Sequence, residues 1–340
     1  MGQHFLQSAA ARTLSTKRII RMSDDEAYAA FKAIRFYATE GQPVCVWCGC
    51  AAVYEIKTRR KFKCQACERQ FSVTSGTTFA DRKLPLRDIL HAIALYTNGA
   101  KGFAALHLGR ELEVQLKTAF VFLHKIRECL GEVQQAQKLV GKVEIDGAYY
   151  GGYQKPANRV EDRIDFRKAE NQNGKRQVIV IMRERGGRSL PYVGKAEGDA
   201  LDTIIEKVHP DATVFHDELP AYKLLRDLFT TKPINHSECY SKPGEGIHIN
   251  GAESSHIRTR RAEIGIHHHI AGPHLLQYAN EMSWREDRRR ISNGEQFLLI
   301  CATVIPHEPS KTWRGYWQRG RWYERKKRRE AVARSIANDL

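Results

Sequence analysis

Residues 143–152 read Val-Glu-Ile-Asp-Gly-Ala-Tyr-Tyr-Gly-Gly, and their apolar start leads into the carboxylate of Asp146 and then toward a glycine pair. Such a run predicts a buried strand with a carboxylate at the end of its apolar part. An uncompensated carboxylate there costs several kcal/mol. A bound metal ion would supply the compensation, so Asp146 is the first candidate metal ligand.

Two further carboxylates also lie at the ends of predicted elements and are candidate metal ligands for the same reason. Asp217 closes the apolar run 214–216, and Glu253 stands near the start of a predicted helix over 250–258. Three carboxylates at the ends of separate elements can converge on two divalent cations. Such a pair of ions holds the attacking and leaving oxygens of a phosphodiester during in-line displacement. The set predicts phosphoryl transfer assisted by two divalent cations.

The order of elements in this part of the chain predicts the fold class. Hydrophobic patterning gives strands at 143–150, 177–182, 190–193, 213–215 and 232–235, and helices at 200–208, 222–228 and 250–258. Three strands, helix, strand, helix, strand, helix is the order of an RNase H-like mixed sheet flanked by helices. We therefore predict an α/β catalytic domain over 141–305. Asp146 then lies on the first strand, Asp217 ends the fourth, and Glu253 lies on a late helix.

The amino-acid composition indicates which class of molecule this protein binds. The 340 residues carry 55 Lys and Arg against 39 Asp and Glu, a formal net charge of +16. A solvated surface accounts for some excess of basic residues, but a net charge of this size favours a polyanionic partner. Nucleic acid is a better candidate for that partner than an anionic membrane. No apolar stretch reaches the ~20 residues that span a bilayer, and no signal peptide opens the chain. We expect a soluble intracellular protein with no membrane partner.

Cysteines indicate a structural zinc site within a ribbon over 41–80. Two CxxC pairs flank a basic hairpin, and four thiolates at this spacing suit tetrahedral zinc with no position open to substrate. The predicted ligands are Cys45, Cys48, Cys64 and Cys67. Cys50 competes with Cys48 at this stage. The remaining cysteines are scattered, which fits a reducing compartment.

The flanking regions predict further DNA contacts. Residues 1–40 read as a polar leader followed by a short helix, and 81–140 as a helical region with a helix-turn-helix-like pattern. In that reading Lys117, Lys125 and Arg127 face DNA, although an ordinary helical bundle gives the same pattern. The tail 306–340 interleaves tryptophan and tyrosine with arginine and lysine, which suits either nucleic acid or a solvated basic helix.

The helix after Glu253 is basic. Arg260 lies two turns beyond Glu253 on the same face and is placed to hold phosphates of the scissile strand, with Arg258 and Arg261 beside it as DNA contacts. His267, His268 and His269 follow. Adjacent residues point in different directions, so these histidines favour phosphate contacts or packing over a metal site.

Several of these segments together resemble a known family. Residues 62–77 with 83–86, the run 143–146, the segment 248–253, and residues 274–281 with Arg288 and Arg289 resemble bacterial insertion-sequence DDE transposases with an N-terminal zinc ribbon, the family numbered fifteen ninety-five. The resemblance covers roughly residues 25 to 305. Gly147, His216 and Arg260 depart from the residues commonest in that family.

The resemblance implies a DNA transposase that cleaves the ends of its element and joins the freed 3′-hydroxyls to target DNA. It implies Asp146 and Asp217 as Mg2+ ligands with Glu253 as the third acidic residue, and Asn250 as a rival for that third role. It also implies double-stranded terminal repeats and target DNA as partners, a homo-oligomer on paired ends, and a cytoplasmic location at the bacterial nucleoid. The alternatives are a catalytically inactive DNA-binding regulator derived from a transposase, and a nuclease that cuts without joining.

Overall fold

The predicted strands form two separate sheets, one in each of two units of a computed structural model. The structure describes residues 5–136, 138–152, 155–165, 171, 173–234, 244 and 246–317. The sheet unit comprises Met1–Ile19, Ile93–Ala104 and Arg127–Thr303, and the ribbon unit comprises Ile20–Ala92, Ala105–Ile126 and Val304–Leu340. The helical region expected at 81–140 is therefore divided between the two units.

Regular elements lie close to where hydrophobic patterning predicts them. The strands are β1 Val53–Ile56, β2 Lys61–Cys64, β3 Gln70–Phe71, β4 Lys142–Tyr150, β5 Gln177–Glu184, β6 Ser189–Gly194, β7 Thr213–Asp217 and β8 Thr230–Ile234. The helices are α1 Thr16–Ile20, α2 Asp24–Arg35, α3 Leu86–Asn98, α4 Ala105–Glu111, α5 Leu116–Gln135, α6 Leu201–Lys207, α7 Asn250–Ala262, α8 Leu275–Asp287 and α9 Asn293–Val304. Within the described ranges, no helix combines the length and the apolar character needed to cross a bilayer.

The sheet unit is built on five strands in the order β6-β5-β4-β7-β8. The pairs β4–β5 and β5–β6 are antiparallel, whereas β4–β7 and β7–β8 are parallel. A tight turn at Gly186 and Gly187 joins β5 to β6. Since a parallel neighbour needs a crossover connection, the chain passes through α6 before β7. The mixed five-stranded sheet predicted for this part of the chain is confirmed.

Alternation along β5 explains why both faces of this sheet are covered. Val178, Val180 and Met182 join one apolar core with residues of the segments around α6. Ile179 and Ile181 point the other way and join a second core with residues of α7 and α8. A strand that is apolar on both faces requires layers on both sides. This burial holds β4, the central strand, in a fixed position.

Three local expectations are corrected in the sheet unit. The helix expected at 222–228 is instead a 3-10 helix, Pro220–Asp227. The strand expected at 232–235 is Thr230–Ile234, and residue 235 lies outside the described residues. Residues 5–20 are not an irregular polar leader, because they form short 3-10 turns and α1, and the backbone N–H groups of Thr13 and Leu14 donate to Oδ1 of Asn293 at 2.8 Å.

The ribbon unit pairs β1, β2 and β3 as an antiparallel sheet. Phe62 and Phe71 pack at its centre with ring centroids 5.3 Å apart. The helix α2 begins at a capping box, in which Ser23 Oγ accepts from the N–H of Glu26 and the N–H of Ser23 donates to the Glu26 carboxylate. The same helix contacts β1, since the hydroxyl of Tyr28 donates to Glu55 at 3.0 Å.

The start of the C-terminal tail belongs to the core of the ribbon unit. Trp313 is 1% exposed and stacks on His124, with ring centroids 4.4 Å apart. Its burial fits neither of the two interpretations of the tail, because the side chain is available neither to nucleic acid nor to solvent. Trp322 and Tyr323, which belong to the same predicted tail, lie outside the described residues.

Candidate active site and metal centre

Four cysteines of the ribbon unit converge on one point. The ligand atoms of Cys45, Cys48, Cys64 and Cys67 all lie within 4.8 Å of one another, with Sγ–Sγ distances of 3.5 Å for Cys45–Cys67 and 3.6 Å for Cys48–Cys64. A tetrahedral zinc with Zn–S bonds of about 2.3 Å places its sulfurs about 3.8 Å apart. The cluster fits a structural zinc, and the four ligands are those that the CxxC spacing predicts.

The geometry also separates Cys48 from Cys50. Cys50 is outside the group, and its carbonyl accepts from the N–H of Cys45 at 2.9 Å, which closes the loop around the first two ligands. On the other loop, the N–H of Cys67 donates to Sγ of Cys64. This backbone donor is the main reason that the pKa of Cys64 is lowered to about 6, a shift that favours the thiolate form that binds metal.

The carboxylates of the sheet unit meet beside the centre of the sheet. Asp146 lies on β4, Asp217 ends the parallel neighbour β7, and Glu253 lies in the first turn of α7. Burial raises the pKa of Asp146 to about 7, and the next largest causes are the charges of Glu253 and then Asp217. The charges of Glu253 and Asp217 therefore both act on Asp146, and the convergence of the three carboxylates on metal ions stays a prediction.

A divalent cation would fit this group. Oδ1 of Asp217 is buried and has no hydrogen-bond partner among the described residues, and mutual repulsion disfavours the charged form of Asp146. A cation would reverse that repulsion and give the orphaned oxygen a partner. The carboxylates are more widely spaced than the thiolates, since the cysteine cluster is the only set of three or more candidate ligands within 4.8 Å in the described part of the chain.

A buried histidine supports the backbone of Asp146. Nε2 of His256, on α7, lies 3.1 Å from the carbonyl oxygen of Asp146 and 3.8 Å from Oδ2 of the same residue. Burial lowers the pKa of His256 to about 4, so the ring is neutral at pH 7. On its other side, the hydroxyl of Tyr150 donates to the His256 carbonyl at 3.3 Å. These contacts tie α7 to β4 beside the carboxylates.

Glu144 fixes the start of the helix that carries Glu253. Its carboxylate is 1% exposed, and Oε2 accepts from the N–H groups of Gly251 at 2.7 Å and Ala252 at 3.2 Å. Oε1 accepts from Nε of Arg185 at 2.7 Å. A carboxylate at the N-terminus of a helix satisfies donors that have no partner within the helix and interacts favourably with its dipole.

We expect Glu144→Gln to lower the free energy of unfolding by about 2 kcal/mol, because charge-assisted hydrogen bonds to the helix and to Arg185 are lost. Gly251→Ala should act in the same direction, since a Cβ there would lie 2.6 Å from Oε2 of Glu144. Urea titration followed by circular dichroism measures both. Wild-type stability in Glu144→Gln would show that the capping contact contributes nothing.

The cations predicted to contact DNA occupy different environments. Arg260 and Arg261 are exposed on α7, and Arg260 donates to the carbonyl of Tyr149 at 3.2 Å while its guanidinium lies 4.9 Å from the ring centroid of Tyr150. Arg258 forms an ion pair with Glu286. In the ribbon unit, Lys117 is exposed on α5.

Two of these cations are less accessible than the helix pattern suggests. Lys125 is half-buried and donates to the carbonyl of Thr78 at 2.9 Å. Arg127 is 1% exposed and donates to Glu281 at 2.6 Å. Its predicted contact with DNA is therefore corrected, because its charge is compensated inside the sheet unit. The basic pattern of α5 did not reveal this, since the partner is distant in sequence.

The three consecutive histidines do not form a metal site in the described part of the chain. His267 packs against Tyr278 with ring centroids 4.7 Å apart, and burial lowers its pKa to about 4. Of the two roles predicted for these histidines, phosphate contacts or packing, the contact of His267 with Tyr278 is a packing contact.

Sequence reasoning assigned no role to two residues of the site. Glu144 is visible as a second carboxylate within an apolar strand, two residues before Asp146 and therefore on the same face. That signal predicts a buried acid but not its partner. His256 gives no signal, because a histidine on a basic helix has no distinguishing neighbours in sequence.

Comparisons with known proteins identify two family domains in this chain. Residues 138–287 match the model of the ISXO2-like transposase domain of the IS1595 group, and residues 22–70 match the transposase zinc-ribbon domain of the same group. No curated protein matches the chain. Among solved structures, one similar chain is in the crystal structure of the Mos1 Strand Transfer Complex, at 11% identity over 65% of this chain and 79% of that one. Its TM-score of 0.20 is too low to support an argument.

Proposed function

The chain belongs to the IS1595 family of DDE transposases and is a DNA transposase of an insertion sequence, and from this premise we propose how its site works. The sheet unit acts as an RNase H-like catalytic domain that cleaves the element ends and joins the 3′-hydroxyls to target DNA. The observation that carries the proposal is the placement of three carboxylates on neighbouring elements: Asp146 on β4, Asp217 at the end of the parallel neighbour β7, and Glu253 in the first turn of α7, which contacts β4 through His256. A carboxylate whose charge is opposed by two others is the environment that divalent cations stabilise.

We assign Asp146, Asp217 and Glu253 to hold the metal. Glu253 is preferred to Asn250 as the third residue, because its carboxylate lies in the first turn of α7 and supplies a negative charge to a divalent cation, which an amide does not. Asn250 is exposed at the first position of α7 and serves at most as a neutral ligand. Bound Mg2+ or Mn2+ would stabilise the attacking and leaving oxygens of the phosphodiester.

The surrounding residues position the reacting groups. Glu144 and His256 hold α7 against β4 and so fix Glu253 relative to Asp146. Arg260 presents an exposed guanidinium on the helix of Glu253, where it supports binding of a backbone phosphate. Arg261 on the same helix extends this cationic surface along bound DNA.

The ribbon unit supplies DNA binding in this proposal. Its α4 and α5 have the short-then-long arrangement of a helix-turn-helix, and Lys117 is exposed near the start of the longer helix. Terminal repeats of the element are the duplex it recognises. Two chains act together on paired ends in the cytoplasm, where the bacterial nucleoid supplies target DNA.

The decisive experiment incubates the purified protein with Mn2+ and a duplex carrying the DNA that flanks its own gene. Wild type should nick the duplex and join it to a plasmid, and Asp217→Asn should reduce joining by at least about 100-fold through lost metal affinity. Asp211→Asn is the matched control, since Asp211 is an exposed aspartate just before β7.

The two other functional classes give different results in the same assay. Binding without cutting or joining by wild type would leave a DNA-binding regulator. Cutting without joining would leave a nuclease. Equal joining by Asp217→Asn and wild type would remove Asp217 from the site.

A further inference from the structure

Glu197 brings a fourth carboxylate to the edge of the site. It begins the 3-10 turn Glu197–Ala200, which lies between β6 and α6, and it is half-buried. Its side chain fills the space beside Gly147, the residue after Asp146. A Cβ added to Gly147 would lie 2.5 Å from Oε2 and 2.7 Å from Cγ of Glu197. The carboxylate of Glu197 therefore takes the space that a side chain at position 147 would need.

Sheet topology explains why this space is open. The paired register of β4 with β7 ends at Glu144 and Phe215, and β4 continues beyond it through Tyr150. The backbone around Gly147 thus has no β7 partner on that side. Because β7 ends at Asp217, a side chain that enters here approaches the strand of Asp146 and the end of the strand of Asp217 together.

Carboxylates of the candidate metal site influence the pKa of Glu197. Burial and then Asp217 raise the pKa of Glu197, and Glu197 in turn contributes to the raised pKa of Asp146. Among the described residues, no ion pair joins Glu197 to a lysine, arginine or histidine. A half-buried carboxylate that faces two others without a cation is unfavourable unless an ion is bound.

We propose that Glu197 is a fourth carboxylate of the divalent-metal site, with Gly147 as the residue that leaves room for it. The proposal rests on the proposed function, since it adds a ligand to the same site. The alternative is that Glu197 only fills space beside β4. The two readings differ in what a neutral isostere does to metal affinity.

The test is calorimetric titration of Mn2+ into the zinc-loaded, full-length protein without DNA. Mn2+ prefers oxygen ligands and so reports the carboxylates rather than the thiolates. Glu197→Gln should weaken Mn2+ binding about 10-fold, the lower end of the usual cost for a residue that supports a metal site. Glu206→Gln is the control, because Glu206 lies on the following helix with a side chain 67% exposed.

Gly147→Ala provides a second route to the same result. Gly147 does not have a positive φ, so alanine is acceptable to the backbone and disturbs mainly Glu197. This variant should also weaken Mn2+ binding. The double variant Gly147→Ala/Glu197→Gln should bind no more weakly than Glu197→Gln alone, because both changes act on one carboxylate.

The outcomes separate this proposal from the one on which it rests. If Asp217→Asn loses Mn2+ binding while Glu197→Gln binds like wild type, the fourth ligand is overturned and the catalytic assignment stands. If wild type binds no Mn2+ beyond its zinc, both are overturned. Additive losses in the double variant would overturn the role given to Gly147.

Discussion

Replacing Glu281 with Gln is expected to lower the free energy of unfolding by about 3–5 kcal/mol, the usual cost of leaving buried charge without its partner. Glu281 on α8 is fully buried and lies between two guanidiniums. It accepts from Nε of Arg127 at 2.6 Å and from Nε of Arg285 at 2.9 Å. Each arginine also faces a ring, with Arg127 4.4 Å from the centroid of Tyr278 and Arg285 4.5 Å from that of Tyr96. Glutamine keeps the shape but leaves both cations without a counter-charge.

The same triad predicts a dependence on pH. Burial alone would raise the pKa of Glu281, but Arg127 and Arg285 overcome it and lower the pKa from 4.5 to about 2. The stabilisation is fully present above pH 4.5. As pH falls from about 4.5 to about 2, the unfolded chain takes up a proton that the folded chain does not, so stability is lost across this window. The Glu281→Gln variant lacks this titrating group, so its stability should fall less than that of wild type between pH 4.5 and about 2.

Thermal and urea unfolding at pH 7 and at about pH 3, inside the window set by the two pKa values, measure both effects. Glu206→Gln makes the same substitution at a surface ion pair and should change stability by less than about 1 kcal/mol. A triple replacement, Arg127→Met, Glu281→Leu and Arg285→Met, should be less destabilising than Glu281→Gln, because it removes the buried charges together. Equal stability of wild type and Glu281→Gln would show that the arginines find other partners.

The catalytic part of the fold was predictable because its signals are local. An apolar run that ends at Asp146, the glycine turn at Gly186, and a second run that ends at Asp217 fix the strands and put carboxylates at their ends. The element order also predicts that Glu253 lies near these two carboxylates. In the ribbon, the two CxxC pairs identify the zinc ligands because four thiolates at that spacing have few other uses.

The errors and omissions involve partners that are distant in sequence. Arg127 reads as a DNA contact on a basic helix, but its partner Glu281 lies on α8 and draws it into the core. Trp313 reads as part of an aromatic tail, but stacking on His124 buries it. Glu197 lies in a polar turn, and no pattern in the sequence marks it. Its position beside Asp146 is evident only in the structure, where its side chain occupies the space next to Gly147. Hydrophobic periodicity predicts which face of an element is buried. Whether a charged side chain is buried depends on a partner elsewhere in the chain, which periodicity does not identify.

Loss of zinc is expected to unfold the ribbon locally. Its sheet has only three short strands, and its core rests largely on the packing of Phe62 and Phe71, so metal binding must supply much of its stability. Structural zinc sites in small domains contribute about 10–16 kcal/mol of apparent binding free energy at neutral pH. Cys64→Ser removes a ligand at the end of β2 and should reduce bound zinc well below one ion per chain.

Elemental analysis of zinc together with limited proteolysis checks this expectation. Cys64→Ser and Cys48→Ser should lose zinc and expose the ribbon to cleavage, whereas Cys50→Ser is the matched control and should retain both zinc and protection. Cys50 is a suitable control because it lies close to the ligands in sequence but outside the cluster. Only its backbone carbonyl takes part in the loop, by accepting from the N–H of Cys45. Zinc loss in Cys50→Ser with retention in Cys48→Ser would reverse the ligand assignment. If Cys64→Ser retained zinc and resisted protease, the metal would not hold the ribbon together, and its stability would have to come from the contacts with α2.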